Sequence, residues 1–220
     1  MNPQKTVYEK QASLAMEALR RNRMAAYYVS TAAEVVPLVR SLLKAGDSIG
    51  VGGSVTLDQT GVSELIRDPQ YRFIDRYEAG LSKEEVNDRL RQSLLADVYL
   101  TSANAITLNG ELYNVDGRSN RVAAIAFGPR SVIVVAGVNK LVTDLDEAAK
   151  RVKLTAAPAN VERLHCDTGC AKTGVCAGYK GNMTAGCALE GRICCSYLIS
   201  AMQREKDRIK VILVGEPLGY

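Results

Sequence analysis

The chain has 220 residues, 47% of them hydrophobic and 24% charged, a balance that suits a globular protein with a substantial core. Its 28 Lys and Arg against 24 Asp and Glu leave a net charge of +4 spread along the chain; with no Trp and two Phe, this argues against nucleic acid as a partner. No apolar run reaches the ~18 residues that span a bilayer, and the polar start MNPQKTVYEKQ lacks a signal-peptide core, so a cytoplasmic protein with no membrane partner is expected.

Positions 4–23 predict a surface helix with Val7, Leu14, Ala15, Ala18 and Leu19 near one face, and with Arg20, Arg21 and Arg23 at its end. Residues 24–29 predict a short buried strand. Thr31 and Glu34 form a capping-box pair that opens a helix carrying Val35, Val36, Leu38, Val39, Leu42 and Leu43; Gly46 ends it, and Pro37 kinks it or shifts its start. A strand at 47–51 runs into a glycine turn and a short helix that stops before Asp68-Pro69. Residues 72–75 form a candidate strand. Ser82 and Glu85 are a second capping box, heading a helix to about residue 95. Strands follow at 97–101 and 111–115, a helix at 120–127 closed by Gly128-Pro129, and the most β-branched run of the chain at 131–136. Thr143 can cap a helix from 144 to 151 or beyond, and 210–214 is the last strand. Strands alternate with helices, and several strands are apolar throughout, as strands buried on both faces are. The prediction is a three-layer α/β fold with a mainly parallel sheet, in one domain over residues 1–220.

Three polar clusters fall at predicted strand ends, where ligands bind in open parallel sheets. Gly52, Gly53, Ser54 and Thr56 let a ligand approach the backbone and offer amides and hydroxyls to an anion, although Val55 breaks the dinucleotide fingerprint. Asn104, Asn114, Asp116, Asn120 and Arg121 belong to a dense polar stretch that also holds Ser102, Glu111 and Arg118. Asn139 and Lys140 follow the strongest strand. Together these make a small anionic ligand the expected partner. Asp116 or Glu111 is a candidate base, with Lys140 as its electrostatic partner.

All 6 cysteines lie between Cys166 and Cys195, in a glycine-rich segment at about 160–197 placed before the last strand, and the single histidine, His165, adjoins the first. In a cytosolic chain such clustering points to metal binding or redox chemistry; a thiol/disulfide switch and inert thiols are the alternatives. The spacing chooses neither zinc nor an iron–sulfur cluster.

The segments 50–58 (GVGGSVTLD), 96–104 (ADVYLTSAN), 109–126 (NGELYNVDGRSNRVAAIA), 132–142 (VIVVAGVNKLV) and 211–220 (VILVGEPLGY) together resemble the LUD-domain family of lactate-utilization proteins. The resemblance implies a modified Rossmann-like fold of the sugar-phosphate isomerase and CoA-transferase group. It also implies an accessory or redox-linked part in lactate or organic-acid oxidation, with iron–sulfur oxidoreductase subunits as partners; an oligomer is compatible with it. A stand-alone enzyme on a small phosphorylated or carboxylated substrate and a zinc-stabilised binding or regulatory module are the alternatives. In the CoA-transferases of the group a glutamate is the nucleophile, and Leu108 stands where an acidic residue is expected, which argues against covalent CoA transfer. Family members with a C-terminal extension look similar around Cys170–Cys176 and Cys194, which implies Cys170, Cys176, Cys187 and Cys194 as ligands to zinc or an iron–sulfur cluster. Cys166 and Cys195 are then extras, and His165 is not needed.

Overall fold

The residues described by the computed structural model of the chain are 3–220. Helix α1, Pro3–Arg21, buries Ala12, Ala15, Ala18 and Leu19, while Val7 and Leu14 of the expected face point to solvent. Strand β1, Ala25–Val29, follows. The Glu34 carboxylate then accepts from the Ser30 and Thr31 amides, as a capping box requires. A 3-10 turn, Ala32–Glu34, leads into α2, Val35–Leu42, so Pro37 sits in the first turn, where its missing N–H costs nothing. Strand β2, Ser48–Val51, is followed by two short helices, α3 (Val55–Gln59) and α4 (Val62–Leu65), and by β3, Arg72–Phe73. Ser82 caps α5, Lys83–Gln92, through a complete capping box.

Next come β4 (Val98–Thr101), β5 (Ala105–Thr107), β6 (Leu112–Asp116), α6 (Asn120–Ala126), β7 (Ser131–Gly137), a 3-10 turn (Val138–Lys140) and β8 (Leu141–Val142). The cap of α7, Leu145–Arg151, is Asp144, which accepts from the Glu147 amide; the predicted cap Thr143 donates to the Glu147 carboxylate instead. Without a break, α7 continues through a π-helical turn, Val152–Ala156, into α8, Ala157–Leu164. The cysteine segment then contributes α9, Gly169–Thr173, and leads into β9, Ser196–Ser200; β10, Ile209–Val214, is last.

Six strands form a parallel sheet in the order β1-β10-β7-β4-β2-β3. Along β7, Val132, Val134 and Ala136 pack with α1 and Ile125 of α6, whereas Ile133 and Val135 pack with α2, α3 and α4 through Val35, Val39, Leu57 and Val62. Both faces of the strand are covered, which is why its sequence is apolar without alternation. The expected three-layer α/β fold is what the chain adopts. At the sheet edge, β1 is half-buried and not the buried strand its composition suggests.

A second, four-stranded sheet, β8-β5-β6-β9, was not expected as a sheet; of its strands only β6 answers to a predicted one, at 111–115. Its core of Ala105, Tyr113, Val115 and Val142 packs on Ala148, Val152 and Ala157. It also changes the place of the cysteine segment, which ends in β9, antiparallel to β6 with Asp116 opposite Ser196, before the chain returns to the main sheet.

A cationic cavity and the neighbouring cysteine segment

Because the main sheet is parallel, β2, β4, β7 and β10 deliver their C-terminal ends to one edge. There a cavity of about 380 Å³ opens. Of the residues predicted from sequence, Gly53, Ser54, Thr56, Asn104, Asp116, Asn120, Arg121 and Lys140 line it. Three others do not. Gly52 lies behind the wall, where a Cβ would meet Arg121 Cδ and Thr101 Oγ1 at 2.9 Å. Asn114 is buried beneath Arg121 and accepts its Nη1 at 2.8 Å. Asn139 holds the last residues of the chain, accepting from the Leu218 amide and donating to the Gly219 carbonyl.

Lys140 is carried by the 3-10 turn after β7 and is buried. Its Nζ donates to Ser102 Oγ at 2.9 Å and to Thr56 Oγ1 at 3.0 Å. Burial, reinforced by the Arg151 and Arg121 guanidiniums, brings its pKa down to about 7. Arg121 spreads its fork over neutral acceptors: Nη1 to the Ser102 carbonyl and Asn114 Oδ1, Nη2 to Asn104 Oδ1 and the Val115 carbonyl. Arg151 does the same with the carbonyls of Asn139 and Asn104. Burial works against both charges. None of these three cations is in an ion pair among the described residues.

The wall carries five basic side chains, Arg76, Arg118, Arg121, Lys140 and Arg163, and one acidic one, Asp116. Asp116 is occupied structurally, since its carboxylate accepts the amides of Gly117, Arg121 and Val122. Glu111 is outside the cavity and bonds Thr107 Oγ1, so neither carboxylate is free in the way a general base needs. Sequence reasoning missed Arg76, Asn160 and Arg163. Arg163 bonds Asn160 Oδ1 and Tyr220 Oη from α8, a helix with no local sign of a site. Arg76 stacks over Tyr77 in an irregular loop, and its buried Nε has no hydrogen-bond partner.

Beside this cavity lies a second of about 20 Å³, lined by Cys170, Cys176, Cys187 and Cys194 and by neither Cys166 nor Cys195. The loop is knotted from within. Arg192 donates to the carbonyls of Cys194, Cys187 and Thr184, and Lys153 Nζ donates to those of Gly178 and Asn182. Burial, together with the nearby thiols of Cys176, Cys170 and Cys187, pushes the Cys194 pKa up to about 12 despite Arg192. All six cysteines are free thiols. Among the described residues no three Cys, His, Asp or Glu side chains are already gathered closely enough to hold a metal ion. The four thiols surround a shared space without meeting in it. As a donor set they suit zinc or iron–sulfur chemistry. Ala157, Ile193 and Cys194 line both cavities.

Fold and site define an α/β protein with a parallel-sheet core and a cationic cavity at its strand ends. Among the described residues, no helix is long and apolar enough to cross a membrane. The chain belongs to the LUD domain family, whose model matches residues 12–214. It is also similar to the crystal structure of a DUF162 family protein from Deinococcus radiodurans, with a TM-score of 0.49, 18% identity, and coverage of 94% of this chain and 98% of that one. No protein with a curated description matches.

Proposed function

We propose that this LUD-domain protein binds a small carboxylate in the cationic cavity and acts as an accessory component in the oxidation of lactate or a related organic acid. The observation that carries this reading is the set Lys140, Arg121 and Arg151. Each is desolvated and its side-chain donors are bonded only to neutral acceptors; Lys140 and Arg121 line the cavity while Arg151 lies outside its lining, and Asp116, the one carboxylate that acts on Arg121, is spent on backbone amides. Buried charge without a counter-charge is costly, and an anionic ligand supplies it. The volume of about 380 Å³ suits a small molecule.

Cys170, Cys176, Cys187 and Cys194 are the residues that would hold a metal. An iron–sulfur cluster there would supply electron transfer to partner subunits, and zinc would clamp the segment.

Calorimetric titration with lactate, pyruvate and inorganic phosphate tests the ligand. The expected result is saturable binding of the carboxylates that weakens as pH rises past about 7, where Lys140 loses its proton. Binding of phosphate alone would favour a phosphorylated substrate, and binding of none of the three would defeat the reading. Metal analysis and a visible spectrum after anaerobic purification separate zinc from iron–sulfur.

A further inference from the structure

Binding an anion leaves one property of the cavity unused. An ammonium group has three N–H donors, whereas a neutral amine has two donors and a lone pair. Among the described residues Lys140 Nζ has two hydrogen-bond partners, Thr56 Oγ1 and Ser102 Oγ. Its side chain also lines the cavity, so the amine with one position unfilled adjoins the space a ligand would fill. Lys153, the other buried lysine, makes a useful contrast. Its Nζ is spent on the carbonyls of Gly178 and Asn182, inside the cysteine loop. Around Lys140 there are instead hydroxyls, which both donate and accept. Burial and two neighbouring guanidiniums keep a large share of its amine unprotonated near neutral pH.

We propose that Lys140 is a nucleophilic catalytic residue that forms an imine with the carbonyl carbon of a small 2-oxo carboxylate. The proposal rests on the carboxylate reading above and adds a covalent step to it. The Nζ lone pair makes the C–N bond as the carbonyl π electrons move to oxygen, which takes up a proton. The nitrogen gives up both of its protons as C=N forms, and the oxygen departs as water. No oxidant or reductant is consumed. Ser102 Oγ and Thr56 Oγ1, at 2.9 and 3.0 Å, are placed to relay the protons, and the substrate carboxylate faces Arg121 and Arg163. A 2-oxo acid is the two-electron oxidation product of a 2-hydroxy acid, so the reaction supplying this substrate belongs to the hydroxy-acid oxidation class. The imine is an electron sink that acidifies the adjacent C–H.

The full-length protein is incubated with pyruvate and borohydride, which reduces an imine to a stable amine, and its intact mass and peptide map are recorded. The expected adduct adds one pyruvic acid less one oxygen atom and maps to Lys140. Lactate, which has no carbonyl, gives no adduct and competes with pyruvate. Lys140→Arg keeps the charge and loses the adduct; the peptide map of the unsubstituted protein gives the same information should that variant fold poorly. Calorimetric binding of lactate and pyruvate with no adduct at Lys140 would overturn the imine and leave the carboxylate site standing. An adduct scattered over surface lysines and persisting in Lys140→Arg overturns it as well. Failure of both ligands to bind overturns the two readings together.

Discussion

The amide of Cys195 donates to the carbonyl oxygen of Asp116 at 3.0 Å, fastening the cysteine segment to the rim of the cationic cavity. One residue on, a Cβ at Gly117 would stand 3.1 Å from Ile193 Cα, so loop and rim are in backbone contact. Anything that tightens the thiols therefore presses on a wall of the ligand cavity, and this frames the first prediction.

Serine at Cys170, Cys176, Cys187 or Cys194 is expected to abolish stoichiometric metal in anaerobically purified protein, whereas Cys166→Ser and Cys195→Ser retain it. Elemental analysis of the six variants decides this. Equal loss in all six, or metal in none of the proteins including the parent, would remove the four-thiol site.

Lys140 should shape the pH dependence of stability. Its folded pKa of about 7 is below the unfolded value of 10.5, so between these limits the unfolded chain binds more protons than the folded one. Stability then rises with pH across that window, by at most about 1.4 kcal/mol per pH unit from this group, and the penalty of burying the charge is fully present below pH 7. Lys140→Met should flatten this slope, as urea unfolding at a series of pH values would show. An unchanged slope contradicts the depressed pKa.

Arg121→Ala should lower stability by about 2–4 kcal/mol, because it strips donors from Asn114, Asn104 and two backbone carbonyls in a desolvated place. Arg118→Ala, whose guanidinium reaches only Asn87 Oδ1 at 3.4 Å on the surface, should cost little. Denaturant midpoints of the two variants make the comparison, and equal effects would contradict the structural weight given to Arg121.

Two glycines should separate binding from folding. A Cβ at Gly53 meets Arg76 Nη2 at 2.9 Å and Tyr77 Oη at 3.0 Å, the far ends of flexible side chains. Gly53→Val is therefore expected to weaken carboxylate binding by displacing Arg76, with little change in melting temperature. At Gly137 the Cβ would lie 2.5 Å from the Glu216 carbonyl oxygen and the Leu218 nitrogen, both backbone. Gly137→Ala should cost about 2–3 kcal/mol through overpacking. Calorimetry and thermal melts on both variants test the split.

Much of the main sheet was readable in advance because β-branched runs such as 131–136 are buried on both faces and carry a strong local signal. The second sheet was not. β6 alone of its strands was expected; β5 and β8, with three and two residues, have no period long enough to read, and β9, though five residues long, follows the cysteine loop and is defined by its pairing with β6. The site divides in the same way. Gly53, Thr56, Asn104 and Lys140 follow strands directly, and the rule that ligands gather at strand ends found them. Arg163 reaches the cavity from a helix, and Arg76 from an irregular loop. Only the tertiary path of the chain brings either there. Asn114 and Asn139 looked like ligand contacts from their composition, yet each supports the backbone or the arginine that shapes the cavity.

The wide turn at Val152–Ala156 presents Val152 and Ala156 to the cationic cavity and Lys153 to the carbonyls of the cysteine loop. A π turn closes i→i+5 and so holds one residue more than its α-helical equivalent. Deleting one residue there would restore ordinary helical spacing, leaving Asn160 and Arg163 facing roughly as before but withdrawing the extra residue from the wall between the two cavities. The width of the partition between the two cavities is thus set by a count of residues: a single deletion would narrow it at Val152–Ala156, whereas a conservative exchange such as Val152→Ile would keep it.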